Sequence, residues 1–318
     1  MNHHHRAPAI SVAGLRKAFG DHVVLDGIDL TVAQGTIFSL LGPNGAGKTT
    51  TVQILSTLLR ADGGEIRVGG HDVAAEPDAV RAAIGVTGQF SAVDELLTGR
   101  ENLVLMGDLL HLPRSESRRI ADDLLHRFDL VDAADKRTGS YSGGMTRRLD
   151  LAMTLVGDPQ IIFLDEPTVG LDPRSRRTMW EIIRELVAGG VTIFLTTQYL
   201  EEADELADRI AVLDHGRIVA EGTSDQLKRL VPGGHLRLAF IDGTDRDRAE
   251  YALGDATRID EVTLAVPTDG SVKSIRAVLD RLDDAHIEPE GLAVHTPDLD
   301  DVFLTLTGHS VPEKDLAR

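Results

Sequence analysis

The sequence GPNGAGKT at residues 42–49 matches the pattern GxxxxGK[ST]. A mainly apolar run at residues 36–41 precedes it and predicts a buried strand, and residues 48–59 carry apolar side chains at helical spacing. The glycines therefore lie between a strand and the N-terminus of a helix. Without side chains they let consecutive backbone N–H groups point into one concavity, and the helix dipole adds positive potential. The segment predicts a phosphate-binding loop in an α/β fold.

Two side chains of this loop have chemistry of their own. Lys48 can reach the β- and γ-phosphates of a bound nucleotide as a point charge, and the hydroxyl of Thr49 can bind Mg²⁺. The alternative is an ordinary glycine-rich turn between a strand and a helix. We predict that the following residues bind the phosphates of ATP: Gly42, Pro43, Asn44, Gly45, Ala46, Gly47, Lys48, Thr49 and Thr50.

A pair of acids follows a second apolar run. Residues 161–164 predict a buried strand, and Asp165 and Glu166 lie at its end, where ligands bind in α/β sheets. Neighbouring positions on a strand point to opposite sides. We therefore assign Asp165 to Mg²⁺ and Glu166 to the attacking water as general base. The alternative is a surface turn that carries two acids. The phosphate-binding loop in the same chain favours the catalytic pair over this alternative.

The composition excludes several classes of function. The chain has 318 residues, 42% of them hydrophobic, and a formal net charge of −18. This acidic balance lacks the basic surface that nucleic-acid binding requires, so we expect no nucleic-acid partner. Without cysteine there is no disulfide and no thiolate zinc site. No segment approaches the roughly 20 apolar residues of a membrane helix, and the polar N-terminus argues against secretion.

A third motif introduces a family resemblance. The segment YSGGM at residues 141–145 precedes a helical stretch and lies some twenty residues before the acidic pair. Ser142 is a natural N-cap, and Gly143 and Gly144 expose N–H groups at a helix N-terminus, which makes a second anion site. The motif resembles the LSGGQ signature of ABC ATPases, with Tyr141 in place of Leu and Met145 in place of Gln. The resemblance implies that Ser142, Gly143 and Gly144 contact the γ-phosphate held by a second subunit, with two ATP molecules bound in a homodimer.

Further positions match the same family. Phe19 lies where the family stacks an aromatic ring on adenine, although it could instead be an apolar anchor in the core. Gln89 lies where the family places a glutamine that contacts Mg²⁺ and water; an ordinary loop residue is its alternative. Asp172, in the sequence VGLD at residues 169–172, corresponds to a residue that crosses the dimer interface, and it is also a natural helix N-cap.

The sequence departs from the family pattern at Gln198. The segment TTQYLEEA at residues 196–203 aligns with the family's switch region, where histidine normally stands in place of Gln198. A neutral amide can donate a hydrogen bond to the γ-phosphate but cannot become positively charged. This departure bears on the rate of hydrolysis and leaves nucleotide binding untouched. The glutamine, together with the C-terminal sequence DDVFL at residues 300–304, resembles the daunorubicin/doxorubicin-resistance type of ABC-2 exporter ATPase.

The pattern predicts two domains. Residues 8–230 read as an α/β ATPase domain of the P-loop NTPase class, with a mostly parallel sheet, an N-terminal antiparallel part and a helical subdomain at about 90–150. Residues 235–310 read as a small α+β accessory domain with a β-α-β-α-β-α pattern. Local signals place several elements: a capping box at Thr98 and Glu101, a helix over residues 173–188, and a hairpin with its turn at 214–216.

The resemblance implies a transporter motor. The chain would hydrolyse ATP with Mg²⁺, work as a homodimer, and drive a separate membrane permease from the cytoplasmic face of the membrane. The narrower resemblance implies export of a drug or a lipid-like molecule. Two alternatives stay open: a soluble ABC ATPase that acts on ribosomes or nucleic acid, and a regulatory protein that binds ATP without turnover. The charge argues against the first and an intact Glu166 against the second.

The Gln198→Ala variant tests the interpretation of the switch region. If the amide of Gln198 donates one neutral hydrogen bond to the γ-phosphate, its loss removes about 1 kcal/mol of stabilisation and slows hydrolysis about fivefold. Steady-state phosphate release by the purified chain measures this. A variant that hydrolyses ATP as fast as the wild type would refute the role.

Overall fold

A computed structural model describes residues 7–88, 91–230, 234–268, 271–295 and 298–307. The chain divides into two compact units, Met1–Ser224 and Asp225–Arg318. Each unit contains its own sheets, helices and core. Gln89 lies outside the described residues, so its assignment stays a prediction.

Within the described residues, the strands of the first unit form two sheets. A four-stranded antiparallel sheet has the order β2-β1-β4-β5, and a six-stranded sheet has the order β10-β9-β3-β8-β7-β6. In the second sheet the neighbours from β9 to β6 are parallel, and β10 pairs with β9 as an antiparallel hairpin. The strands are β1 (Ile10–Phe19), β2 (His22–Val32), β3 (Ile37–Leu41), β4 (Gly63–Val68), β5 (His71–Asp72), β6 (Ile84–Thr87), β7 (Ile161–Asp165), β8 (Thr192–Thr197), β9 (Arg209–Asp214) and β10 (Arg217–Gly222).

The helices of the first unit flank the parallel sheet and fill the long connection between β6 and β7. They are α1 (Lys48–Leu55), α2 (Pro77–Ala83), α3 (Gly99–Leu109), α4 (Arg114–Arg127), α5 (Gly143–Thr154), α6 (Pro173–Ala188) and α7 (Leu200–Leu206). Short 3₁₀ turns cover Val131–Ala133, Thr138–Ser140 and Leu155–Gly157. Across the described ranges, every helix is too short or too polar to span a bilayer. This architecture confirms the predicted α/β fold with its N-terminal antiparallel part and helical insertion.

The strand period of two separates the core into two layers. Ile161 and Phe163 of β7 pack on the side of the antiparallel sheet, whereas Ile162 and Leu164 pack on the side of α3–α6. On the first side Phe194 lies between Phe38 and Phe163, with ring centroids 5.6 Å from each. The parallel strands are buried on both faces, which is why their sequences read as continuous apolar runs.

The capping residues in the sequence predicted the N-termini of two helices correctly. Asp172 accepts hydrogen bonds from the N–H groups at the start of α6, and Thr98 and Glu101 form the predicted capping box of α3. The first helix is shorter than predicted, since α1 ends at Leu55 instead of extending to residue 59. Thr57 adopts φ +65°, and the Leu58 N–H donates to the Gln53 carbonyl, which is the hydrogen bond of a Schellman-type helix end.

The second unit is a small antiparallel sheet with helices. Helix α8 (Ser224–Lys228) spans the division between the units. The sheet order is β12-β13-β11-β14, and its core includes Leu236, Leu238, Leu264 and Val266. The elements are β11 (His235–Ala239), α9 (Gly243–Leu253), β12 (Thr257–Arg258), β13 (Thr263–Pro267), α10 (Val272–Asp284), β14 (Gly291–His295) and α11 (Leu299–Thr307). The α+β pattern is as predicted, except that the two-residue strand β12 gave no sequence signal.

A buried carboxyl group joins three elements around the parallel sheet. The Oε1 atom of Glu202 on α7 accepts hydrogen bonds from Thr168 Oγ1 (2.8 Å) and from Trp180 Nε1 (3.1 Å) of α6. Burial raises the pKa of Glu202, because water no longer solvates its charge. Hydrogen bonds from Thr168, Thr197 and Trp180 and the charge of Arg176 oppose this shift. Folding therefore shifts the protonation equilibrium of Glu202 towards the neutral acid.

This raised pKa predicts a pH-dependent stability. The stabilisation by protonated Glu202 is fully present below the unfolded pKa of about 4.3 and is lost as pH rises through the folded pKa. Glu202→Gln keeps the acceptor oxygen and stays neutral at every pH. The Tm of this variant relative to that of the wild type should therefore increase as pH rises from 5 to 8. We expect a gain of a few °C, since each kcal/mol shifts Tm by roughly 2–4 °C in a chain of this size. The exposed Glu185→Gln on α6 is the control. A difference in Tm that stays constant with pH would contradict the assignment.

Candidate functional site

The phosphate loop begins where β3 ends and closes at the first residue of α1. The Gly42 N–H donates to the Thr197 carbonyl at the end of β8 (3.2 Å), and a Cβ atom on Gly42 would lie 2.3 Å from the Leu213 carbonyl of β9. Gly47 adopts φ +110°, and a Cβ atom there would lie 2.5 Å from Leu25 Cδ2. The backbone of β9 thus encloses the loop at Gly42, and Leu25 and the Val24 carbonyl of β2 enclose it at Gly47, so that a side chain at either position would force a neighbouring group to shift.

Lys48 turns inward beneath this loop. Its Nζ atom donates to the carbonyls of Gly42 (2.8 Å) and Pro43 (3.1 Å) and lies 3.3 Å from Glu166 Oε1. Only 5% of the lysine side chain is exposed. Burial lowers the pKa of Lys48, and the charges of Glu166 and Asp165 oppose that shift. The site therefore contains a desolvated cation in contact with the carboxylate that we predicted as general base.

The remaining loop residues surround the lysine at different depths. Ala46 is buried, and Pro43 and Thr50 are half-buried. Asn44, Gly45 and Thr49 are exposed. Thr49, in the first turn of α1, thus presents its hydroxyl at the surface of the site.

The acidic pair lies at the end of β7, next to β8. Asp165 is the last residue of the strand, and its Oδ1 atom accepts a 2.5 Å hydrogen bond from Thr196 Oγ1. Glu166 follows the strand with φ +51°, and its N–H donates to the Thr196 carbonyl (3.1 Å). Our expectation of two alternating strand positions was therefore wrong for Glu166. A left-handed turn, and not the strand pleat, directs its carboxylate to Lys48.

The YSGGM segment and the VGLD segment meet elsewhere on the first unit. Ser142 is the N-cap of α5, and its Oγ accepts a hydrogen bond from the Met145 N–H (3.3 Å). Asp172 caps α6 and also accepts a 2.6 Å hydrogen bond from Ser175 Oγ, which lowers the pKa of Asp172. A Cβ atom on Gly144 would lie 2.5 Å from that same Ser175 Oγ, whereas one on Gly143 would meet no atom within 4 Å.

Two further predicted residues are described. Phe19 ends β1 with 51% of its surface exposed, and Lys17 Nζ lies 5.3 Å from its ring centroid. The alternative that Phe19 is a core anchor is therefore wrong. Gln198 follows the last residue of β8 and is half-buried. The Thr197 carbonyl beside it accepts the hydrogen bond from Gly42, so the switch segment adjoins the phosphate loop.

Sequence reasoning missed Thr196 and the buried pair Arg147 and Asp150. Thr196 holds the Asp165 carboxylate, and Arg147 Nη1 lies 3.2 Å from Asp150 Oδ2 within α5. A signal for the pair was present, since two opposite charges at i and i+3 lie in a helix whose other face is apolar. The role of the pair depends on which backbone groups pack against it in the folded chain, and the sequence alone does not identify those groups.

Comparison with known proteins identifies the class. The family model for ABC transporters matches residues 25–169, which include the phosphate loop, the YSGGM segment and the acidic pair. The chain belongs to the ABC transporter family of ATP-binding proteins, and the resemblance to its daunorubicin-resistance type is confirmed by full-length relatives. It is 50% identical over 312 residues to the daunorubicin resistance ATP-binding protein DrrA3 of Streptomyces coeruleorubidus, covering 97% of this chain and 99% of that relative.

More distant relatives extend this picture. The doxorubicin resistance ATP-binding protein DrrA of Mycobacterium tuberculosis is 45% identical over 309 residues, covering 94% of this chain and 93% of its own. The Nod factor export ATP-binding protein I of Paraburkholderia xenovorans is 39% identical, and the match covers 96% of this chain and 99% of that relative. Among solved structures, an ATP-binding subunit of an ABC transporter has a TM-score of 0.63 and 29% identity, covering 70% of this chain and 92% of that one.

The Gly47→Ala variant tests the geometry of the loop. A Cβ atom 2.5 Å from Leu25 Cδ2 forces the loop to shift, and with it the start of α1 and Lys48. We expect ATP affinity to fall at least about tenfold, which corresponds to roughly 1.4 kcal/mol. Gly190→Ala is the matched control, since Gly190 also has positive φ (+96°) but open space around its Cβ position. Equal affinities in a titration with fluorescent ATP would contradict the role of the enclosure.

Proposed function

We propose that the chain is the ATP-hydrolysing motor of an ABC exporter. It binds MgATP at the interface of a homodimer and drives a separate membrane permease, to which it is bound at the cytoplasmic face of the membrane. The observation that carries the proposal is the 3.3 Å contact between Lys48 Nζ and Glu166 Oε1 inside a phosphate-binding loop. It joins a cation suited to phosphate and a carboxylate suited to proton abstraction.

The contacts of Lys48 suggest how nucleotide binding prepares hydrolysis. In this structure its ammonium group is held by the Gly42 and Pro43 carbonyls and by Glu166. Phosphate oxygens that enter the loop compete for the same three donors of the lysine. When Lys48 turns to the phosphates, the carboxylate of Glu166 loses its cationic partner and becomes able to accept a proton from water.

The site fits Mg²⁺ by the chemistry of its donors. Mg²⁺ prefers oxygen ligands and commonly takes one or two from carboxylate or hydroxyl groups of the protein. Thr49 supplies an exposed hydroxyl, and Asp165 supplies a carboxylate whose orientation is fixed by Thr196. The metal would neutralise charge that develops on the phosphates. Lys48 would bind the phosphates, and Glu166 would take a proton from the attacking water. Gln89 is proposed as a further contact on the resemblance alone.

The N-terminus of α5 supports the homodimer. Ser142, Gly143 and Gly144 begin a twelve-residue helix, and the space beside Gly143 is open. A helix N-terminus with exposed N–H groups binds anions. We propose that this surface contacts the γ-phosphate of ATP bound to a second copy, with Asp172 at the same interface. Adenine would stack on the exposed ring of Phe19.

The relatives support export as the purpose of the hydrolysis. Their names refer to daunorubicin and doxorubicin resistance and to Nod factor export. We propose a drug or a lipid-like molecule as the cargo. The competing function is a regulator that binds ATP without turnover, favoured by the uncharged Gln198 at the switch position. It does not explain why Glu166 is held beside Lys48.

The Glu166→Gln variant tests the motor and the dimer together. Loss of the general base should abolish phosphate release while ATP still binds, so that ATP traps a dimer detectable by light scattering. Adding Gly143→Ala should weaken this dimer at unchanged Tm, because the new Cβ atom clashes only with the partner's phosphate. Glu185→Gln is the control that keeps wild-type turnover. Phosphate release that persists in Glu166→Gln would refute the catalytic assignment.

Co-purification from the native host tests the transporter. Tagged Glu166→Gln, trapped with ATP and gently solubilised, should retain an integral membrane protein at near-equal stoichiometry. Ribosomal or nucleic-acid partners would instead favour the soluble ABC ATPase. A homodimer without any partner would leave the ATPase assignment and remove the support for a stable permease complex.

A further inference from the structure

The guanidinium group of Arg147 binds the backbone around the general base. Arg147 lies on α5, two residues after the YSGGM segment, and 12% of its side chain is exposed. Its Nη2 atom donates to the carbonyls of Asp165 (3.1 Å) and Glu166 (3.3 Å), and its Nε atom donates to the carbonyl of Pro167 (2.9 Å). One planar cation thus holds three consecutive carbonyl groups.

The same cation is anchored on its other side. Arg147 Nη1 donates to the Gly88 carbonyl (2.9 Å) and to Asp150 Oδ2 (3.2 Å), and Asp150 Oδ1 accepts from the Ala92 N–H (3.0 Å). Asp150 is 3% exposed. The pair therefore connects α5 to the chain segments at Gly88 and at Ala92. Removal of either partner would leave the other charge buried without compensation.

These contacts fix a backbone turn that the sequence does not favour. Glu166 has φ +51°, which is an uncommon and unfavourable backbone conformation for a residue with a side chain. The turn directs the carboxylate toward Lys48. Hydrogen bonds to the carbonyls on both sides of Glu166 oppose rotation of its peptide planes. Arginine suits this task because its N–H groups form a rigid fork, which the single ammonium group of lysine cannot reproduce.

We propose that Arg147, oriented by Asp150, is a positioning residue for ATP hydrolysis that holds Glu166 in the conformation required to activate water. This proposal rests on the proposed function of the site. The hydrogen bonds of Arg147 described above all go to groups of the protein itself. The effect of Arg147 passes through the backbone of residues 165–167, so it should influence the rate of the chemical step and leave ATP binding unchanged.

The Arg147→Lys variant in the full-length chain tests this role. We expect kcat to fall on the order of 10- to 100-fold, as expected when a reacting group is misplaced, while the Kd for ATP stays within about twofold. Asp150→Asn keeps the guanidinium but weakens its orientation, and should cause a smaller fall in kcat. Fluorescent-ATP binding, phosphate release and the Tm are measured for each variant.

Arg148→Lys is the matched control. Arg148 lies on the same helix, is 17% exposed, and its Nη1 atom also donates to a carbonyl, that of Phe128 (2.8 Å), but far along the chain from the acidic pair. We expect its kcat to stay near that of the wild type. An equal loss in Arg148→Lys, or an unchanged kcat in Arg147→Lys, would overturn the proposal. So would a fall in kcat that tracks losses of Tm and ATP affinity, or failure of both Arg147→Lys and Asp150→Asn to fold, since these outcomes mean a purely structural role.

Failure of the positioning role is distinguishable from failure of the proposed function. Wild-type turnover that is lost in Glu166→Gln establishes the hydrolytic site independently of Arg147. If the wild type hydrolyses ATP and Arg147→Lys does so equally fast, only the positioning role falls. If the wild type shows no turnover, the proposed function falls, and the role of Arg147 falls with it.

Discussion

The parallel pairing of β7 with β8 and of β8 with β3 is the constraint on which the site depends. In this register Asp165 lies opposite Thr196, and Leu41 lies opposite Thr197. The phosphate loop, the acidic pair and the switch segment therefore leave the sheet at one edge, although the loop precedes the other two by more than a hundred residues in the chain. A slip of one residue would exchange the two faces of a strand, so that Phe163 would leave the aromatic contact with Phe194 and enter the opposite core. The packing of Phe163 and Phe194 thus fixes the same register that brings Lys48 to Glu166.

The buried lysine then accounts for the form of the loop around it. A desolvated ammonium group is costly unless hydrogen bonds and an opposite charge compensate it. The carbonyls of Gly42 and Pro43 supply the hydrogen bonds, and Glu166 supplies the charge. This compensation consists of hydrogen bonds and an ion pair, which the oxygens of an anionic ligand can replace. Phosphate carries more negative charge than one carboxylate, so the arrangement that stabilises the free chain also prepares it for an anionic ligand.

The sequence predicted what short-range chemistry decides. The Asp172 cap, the helix over residues 173–188 and the loop of residues 42–49 depend on a few neighbouring residues, and all have the predicted form. It did not predict the early end of α1, since the choice between a third turn and a Schellman-type end depends on where the chain must go next. Nor did it predict the turn at Glu166. Its backbone groups form hydrogen bonds with β8 and with Arg147, and both of these partners are distant in sequence.

The helix that carries Arg147 also bears on how two sites in the proposed dimer would communicate. Its first residues, Gly143 and Gly144, face the partner's nucleotide in that arrangement, and one turn later Arg147 holds the turn of the chain's own Glu166. A helix of twelve residues with a buried apolar face moves as a rigid body. If contact with one ATP moves the N-terminus of the helix, the hydrogen bonds of Arg147 to the carbonyls beside the chain's own Glu166 move with it.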